Sequence, residues 1–222
     1  MNFKSIAILS GVLAAGVASA QAITIDDFST GNASIDITGT NNTGYGFQNG
    51  SMIGGDRWTE LFIGPTNPFG ISFSIDVNTG RLSVSSESGV DGRARIGYGY
   101  SDTGTGPAFQ DLNASMGNND RFVVDFIYSD QPLQATMSIR SGGVTSMVTK
   151  MINPSVVPFQ QTWLFSEFTG VSFADVDQIY LELDTAASGD VTIDAIRAVP
   201  EPMTMGLLAL GLAGVAARKR RK

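Results

Sequence analysis

The chain has 222 residues, 21 of them acidic and 14 basic, with no cysteine and no histidine. Those two absences exclude disulfides, a cysteine nucleophile, a Ser-His-Asp triad and zinc sites of the Cys/His kind. Eight cations and twenty acids fall between Gln21 and Val199, a net charge near −12, which argues against nucleic acid and anionic lipid as partners.

The chain opens with Lys4, an apolar run from Ile6 to Val17, and the small-x-small sequence Ala18-Ser19-Ala20. Ala20-Gln21-Ala22 is a competing small-x-small site. These are the parts of a secretory signal peptide over residues 1–22, cut by signal peptidase at Ala18, Ala20 or Ala22. Residues 23–198 then have the length of one domain with a sizeable core.

That middle reads as all-β. Ile71 to Val77 alternates apolar and polar without a break, as do Arg93–Tyr100, Ile179–Asp184 and Asp190–Ala195. Such alternation marks half-buried antiparallel strands. Further strands are predicted at Ile23–Phe28, Trp58–Ile63, Arg81–Ser85, Arg121–Tyr128, Gln134–Arg140, Val144–Met151 and Gln161–Phe165, with a turn or short helix around Phe173–Asp177. Asn78-Thr79-Gly80 and Ser141-Gly142-Gly143 have hairpin length. Gly31–Gly46 and Ser101–Gly106 are rich in Gly, Asn and Thr and read as long surface loops, and Asp111–Asp120 as a polar connection. About eleven short strands at this spacing predict an antiparallel two-sheet β-sandwich of the jelly-roll type, in one domain.

Aromatics that stack on sugar faces are sought among Tyr45, Phe47, Trp58, Tyr98, Tyr100, Tyr128 and Trp163. Tyr98 shares parity with Ala94 and Ile96 and therefore points inward. Tyr45, in Thr43-Gly44-Tyr45-Gly46-Phe47, is the best exposed candidate for ligand binding.

Two stretches at the ends of the domain resemble the first and last strands of galactose-binding-like jelly rolls, a fold shared by many carbohydrate-binding modules. They are Ile25-Asp26-Asp27-Phe28 and Val191-Thr192-Ile193-Asp194-Ala195-Ile196-Arg197. The resemblance implies that these strands lie together and share a structural calcium ion, for which Asp26, Asp27, Asp190 and Asp194 are the matching carboxylates. Calcium takes several hard oxygen ligands, and paired carboxylates with loop carbonyls provide them. Read from the residues alone, the same aspartates are solvent-facing or capping carboxylates at strand ends.

The chain closes on Pro200-Glu201-Pro202, the apolar or small run Met203 to Ala217, and Arg218-Lys219-Arg220-Arg221-Lys222. The prolines stop regular structure from running in from the domain. The run forms a short transmembrane helix of about 22 Å, under the thickness of a hydrocarbon core. The five cations are a stop-transfer signal that stays in the cytoplasm. This ordered triad, over residues 199–222, resembles the PEP-CTERM sorting signal of exported bacterial proteins. The resemblance implies recognition and processing near Pro200-Glu201-Pro202 by exosortase, a membrane-embedded transpeptidase. It also implies a transient inner-membrane intermediate in a Gram-negative cell, then the cell surface or the extracellular space.

Three functions remain open from sequence. The expected one is a non-catalytic surface or matrix-associated protein. The second is a binding module for envelope or biofilm polysaccharide. The third is a glycoside-active hydrolase, which needs two carboxylates facing one cleft; no local pair is marked, and no catalytic residue is assigned.

Overall fold

The computed structural model describes residues 21–67, 69–185 and 188–201. The signal peptide up to Ala20, and the stretch from Pro202 to Lys222 where a helix and stop-transfer cations are expected, lie outside the described residues. So do the cleavage positions Ala18 and Ala20.

The described residues form an all-β antiparallel sandwich. One sheet takes β13 (Phe159–Leu164), β10 (Arg121–Ser129), β15 (Asp190–Val199), β6 (Arg81–Ser86), β5 (Phe73–Asn78) and β2 (Ala33–Ile37) in that spatial order, with β1 (Ile23–Asp26) paired to β15. The other takes β12 (Val144–Ile152), β11 (Leu133–Ser141), β14 (Gln178–Thr185), β7 (Gly92–Tyr98), β4 (Asp56–Ile63) and β3 (Asn42–Asn49). A separate ribbon joins β8 (Tyr100–Asp102) to β9 (Pro107–Phe109). The two sheet orders align place by place, and each place holds two strands consecutive in sequence. The chain therefore passes from sheet to sheet at β2–β3, β4–β5, β6–β7, β10–β11, β12–β13 and β14–β15.

Alternation explains the core. Ile75, Val77, Leu82, Val84, Phe122, Val124 and Ile193 point inward from the first sheet, and Leu61, Ile63, Ile96, Met137, Ile139, Leu181 and Leu183 from the second. Each inner face meets the other, and the polar positions between them face out. β15 anchors the first sheet: β10 runs along one side, while β6 at Asp190–Ile193 and β1 at Ile196–Ala198 share the other.

Several expectations are corrected. Gly31–Gly46 is no loop: it holds all of β2 and the first half of β3. The strand predicted over Arg93–Tyr100 breaks at Gly99, whose φ is +82°. A Cβ there would lie 2.4 Å from the Asp177 carbonyl oxygen, so only glycine lets the chain turn against that backbone. Part of the Ser101–Gly106 loop belongs to β8, and the Phe159 strand ends one residue before Phe165. Of the two forms expected for Phe173–Asp177, the chain takes the turn. It carries Val176, which bridges to Ala114 in the Asp111–Asp120 connection.

The open edge of β12 is covered from its own end of the sandwich. The Trp163 indole N–H donates to the Val148 carbonyl at 3.0 Å, and the Thr169 N–H donates to Ser146 Oγ at 2.9 Å. Lys150 pairs with Glu167 at 2.8 Å. One backbone carbonyl and two side chains of this nine-residue edge strand are thereby engaged from within the chain.

Candidate functional site

The outward positions of the six-stranded sheet bring aromatic, acidic and basic side chains onto one face of the domain. Period-two alternation puts them there, and the register lines them up in rows across neighbouring strands. One row runs Tyr45, Glu60, Arg95, Glu182, Thr136 from β3 to β11. A second runs Thr43, Phe62, Arg93, Asp184, Gln134. A third runs Phe47, Trp58, Gly97, Tyr180, Ser138.

In the first row Arg95 is held from both sides. Its Nη1 donates to Glu60 Oε2 at 3.2 Å, and its Nε donates to Glu182 Oε2. Burial pulls its pKa down, but the bond to Glu182 and the charges of Glu182 and Glu60 outweigh that and hold it above the ordinary value. In the second row the Arg93 guanidinium lies 4.9 Å from the Phe62 ring centroid, a cation–π contact. Burial, and then the nearby Asp91 charge, raise the carboxyl of Asp184 beside it. Thr43, Glu60, Phe62, Arg93 and Arg95 line a hollow of about 230 Å³. In the third row Gly97 leaves room for Tyr100 to fold back over Trp58, their centroids 4.8 Å apart. A Cβ on Gly97 would come within 2.7 Å of both rings. Burial pushes the Tyr100 hydroxyl up to about 12.

Tyr45 is thus a strand residue rather than a loop residue. It is 40% exposed, with the Phe47 ring edge-on at 6.3 Å. The other aromatics divide by parity. Trp163 and Tyr98 are fully buried, and Trp58 lies under Tyr100. The sequence reading missed Phe62, Glu60, Arg93, Arg95 and Glu182. The alternation of β4, β7 and β14 held the signal for them: each sits at an outward position between buried inward ones. Their meeting in rows depends on strand order, which no local pattern contains.

The four aspartates matched to a calcium site are spread out. Asp26 is almost fully buried, where its Oδ2 accepts from Arg57 Nη1 at 2.8 Å and from the Tyr98 hydroxyl at 2.9 Å. Its Oδ1 accepts the Phe28 N–H at 2.8 Å. Arg57, fully buried, also donates to Gln48 Oε1 and to the Thr30 and Gly31 carbonyls. Asp27 is exposed and turns back on Ser29, whose hydroxyl lowers its pKa. Asp190 accepts from Ser85 Oγ at 2.7 Å, and Asp194 is exposed on the outer side of β15. Among the described residues no group of three or more such side chains could hold a metal ion. The set does not fit one calcium ion, and a guanidinium meets the Asp26 charge instead.

The other functional element is where β15 ends. Ile23 pairs with Ala198, so the two ends of the domain lie side by side. The Asp120 N–H donates to the Val199 carbonyl at 3.1 Å, and the next residues are Pro200 and the exposed Glu201. Residues 198–221 match the PEP-CTERM protein-sorting motif. The PEP-CTERM motif implies exosortase processing and marks an exported, membrane-processed protein destined for the cell surface. It begins inside the sheet, since Ala198 and Val199 belong to both the motif and β15.

No curated protein matches the sequence. Among solved structures the chain is similar to the family 11 carbohydrate-binding module of a cellulosomal cellulase of Clostridium thermocellum. The identity is 14%, the TM-score 0.41, and the match covers 82% of this chain and 96% of that one. It is also similar to a family 29 carbohydrate-binding module complexed with mannohexaose, at 11% identity and TM-score 0.38, over 75% of this chain and 91% of that one. A third, an agarase, gives 11% identity and TM-score 0.42, over 80% of this chain and 24% of the enzyme.

Proposed function

We propose that this is an exported, exosortase-sorted, non-catalytic protein that holds an envelope or biofilm-matrix polysaccharide against the outer face of its six-stranded sheet. The observation that carries the reading is the row Tyr45–Glu60–Arg95–Glu182. An exposed ring lies beside fixed carboxylate acceptors and guanidinium donors. Sugars need this combination, an apolar platform for a ring face and placed polar groups for hydroxyls. The face is open and rigid, because its side chains are already held by one another. A free side chain must be ordered on binding, and these are ordered beforehand.

Hydrolysis is the weaker reading. A glycosidase needs one carboxyl free to deliver a proton and a second aimed at the sugar ring. Here Glu60 and Glu182 are both engaged by Arg95.

The test is affinity electrophoresis of the mature protein in gels containing exopolysaccharide from the producing cells. Retardation is expected, and Tyr45→Ala should weaken it about tenfold, as loss of an aromatic stacking contact does. Unretarded migration in every exopolysaccharide tried would reduce the reading to a surface protein without a glycan ligand.

A further inference from the structure

The start of the sorting motif is built into the sheet, and one ion pair stands beside it. Arg121 is the first residue of β10, in register with Val199 on one side and Leu164 on the other. Asp120 chelates its guanidinium: Nε donates to Oδ1 at 2.8 Å and Nη2 to Oδ2 at 2.7 Å. The Asp120 backbone is itself fixed, because its N–H donates to the Val199 carbonyl and its carbonyl accepts the Phe165 N–H at 2.7 Å. Glu201, two residues past Val199, is exposed and makes no ion pair among the described residues. Val199 is the register partner of Arg121, so the chain carries Glu201 past the Arg121 end of β10 and into electrostatic reach of its guanidinium. The Asp120 hydrogen bond is the largest cause of the raised Arg121 pKa, and the Glu201 charge is among the lesser ones.

Two carboxylates therefore share the surroundings of one guanidinium, and only one is bonded to it. A planar guanidinium prefers a bidentate carboxylate partner, and Asp120 is placed to be that partner. We propose that Asp120 is a positioning residue for processing of the sorting motif: it occupies Arg121 and so leaves the Glu201 carboxylate free for the processing enzyme. This rests on the reading that exosortase acts through the Pro-Glu-Pro triplet. Without the Asp120 charge, Arg121 turns to Glu201, and an enzyme that reads Glu201 must first break that pair. Asp120 acts only through Arg121, so removing the guanidinium as well should cancel the effect.

The experiment is a pulse-chase of the full-length chain in an exosortase-bearing host, following precursor and processed forms by mass. Glu201→Ala should remain precursor. Asp120→Asn should be processed about two- to fivefold more slowly, the range set by a solvent-exposed ion pair. Asp120→Asn combined with Arg121→Gln should return to the unsubstituted rate, a rescue that a folding defect at residue 120 does not produce. Wild-type processing of Asp120→Asn, with Glu201→Ala blocked, would overturn the inference alone. A double variant as slow as Asp120→Asn would overturn it too. Normal processing of Glu201→Ala would overturn the underlying role of the triplet and the inference with it.

Discussion

Arg57 shows how a single side chain sets the character of the domain interior. It is fully buried, and its charge is met by Asp26, with Gln48 and two backbone carbonyls taking three further donors. A buried pair adds little over apolar packing, but breaking one half of it strands a charge. Arg57→Met should therefore lower the unfolding free energy by about 3–5 kcal/mol, read from urea denaturation. A loss under 1 kcal/mol would mean that Asp26 finds another partner. The same cluster governs the alkaline limit. Burial, and then the Asp26 charge, hold the Tyr98 hydroxyl well above its ordinary value of 10.0. Burial raises Tyr100 to about 12. A group raised in the folded state binds its proton more tightly there than in the unfolded chain. Its contribution is complete below pH 10 and is lost as pH rises beyond it. Stability should fall between about pH 10 and 12, and circular dichroism of Tyr98→Phe should show a shallower fall. An equally steep fall in that variant would place the alkaline limit elsewhere.

At the scale of elements, most strands were legible because one face of each is buried and the other wet. The period-two pattern of β5, β7, β14 and β15 follows directly from that. β3 was read as loop because of Gly44 and Gly46, and the structure gives the reason. Both are core-facing strand positions where β2 closes in. A Cβ on Gly44 would lie 2.6 Å from Ile37 and 3.0 Å from Ile35, and one on Gly46 would lie 3.4 Å from Ile35. The glycines answer crowding between two sheet edges, not a need for turns. That crowding comes from residues in another strand, so composition alone misreads it. Tyr45 was singled out correctly as exposed, but for the wrong local structure. Parity within β3, not loop freedom, turns it outward. The aspartates fail in the opposite direction. Two acids in Ile25-Asp26-Asp27-Phe28 look equivalent along the chain, yet one is buried against Arg57 and the other faces solvent. Only the partner on β4 distinguishes them.

For the whole molecule, the decisive feature is that the sorting motif and the fold overlap by two residues. Ala198 is fully buried and paired with Ile23 and Phe122, and Val199 closes the register with Arg121. Pro200 then ends the strand, since it has no N–H to offer the ladder. The motif thus has a part that belongs to the last strand and a part that follows it, and the boundary falls between Val199 and Pro200. A mature chain ending at Val199 should unfold at the same urea midpoint as one that keeps the full motif. A chain ending at Arg197 loses the buried Ala198 and the bond from Asp120 to the Val199 carbonyl. It should be about 1–3 kcal/mol less stable, the cost of leaving buried backbone groups unpaired. Equal midpoints for all three would show that the last two strand residues do not help hold the sheet. A loss already present at Val199 would show that the domain leans on residues beyond the strand, and that processing at the triplet weakens it.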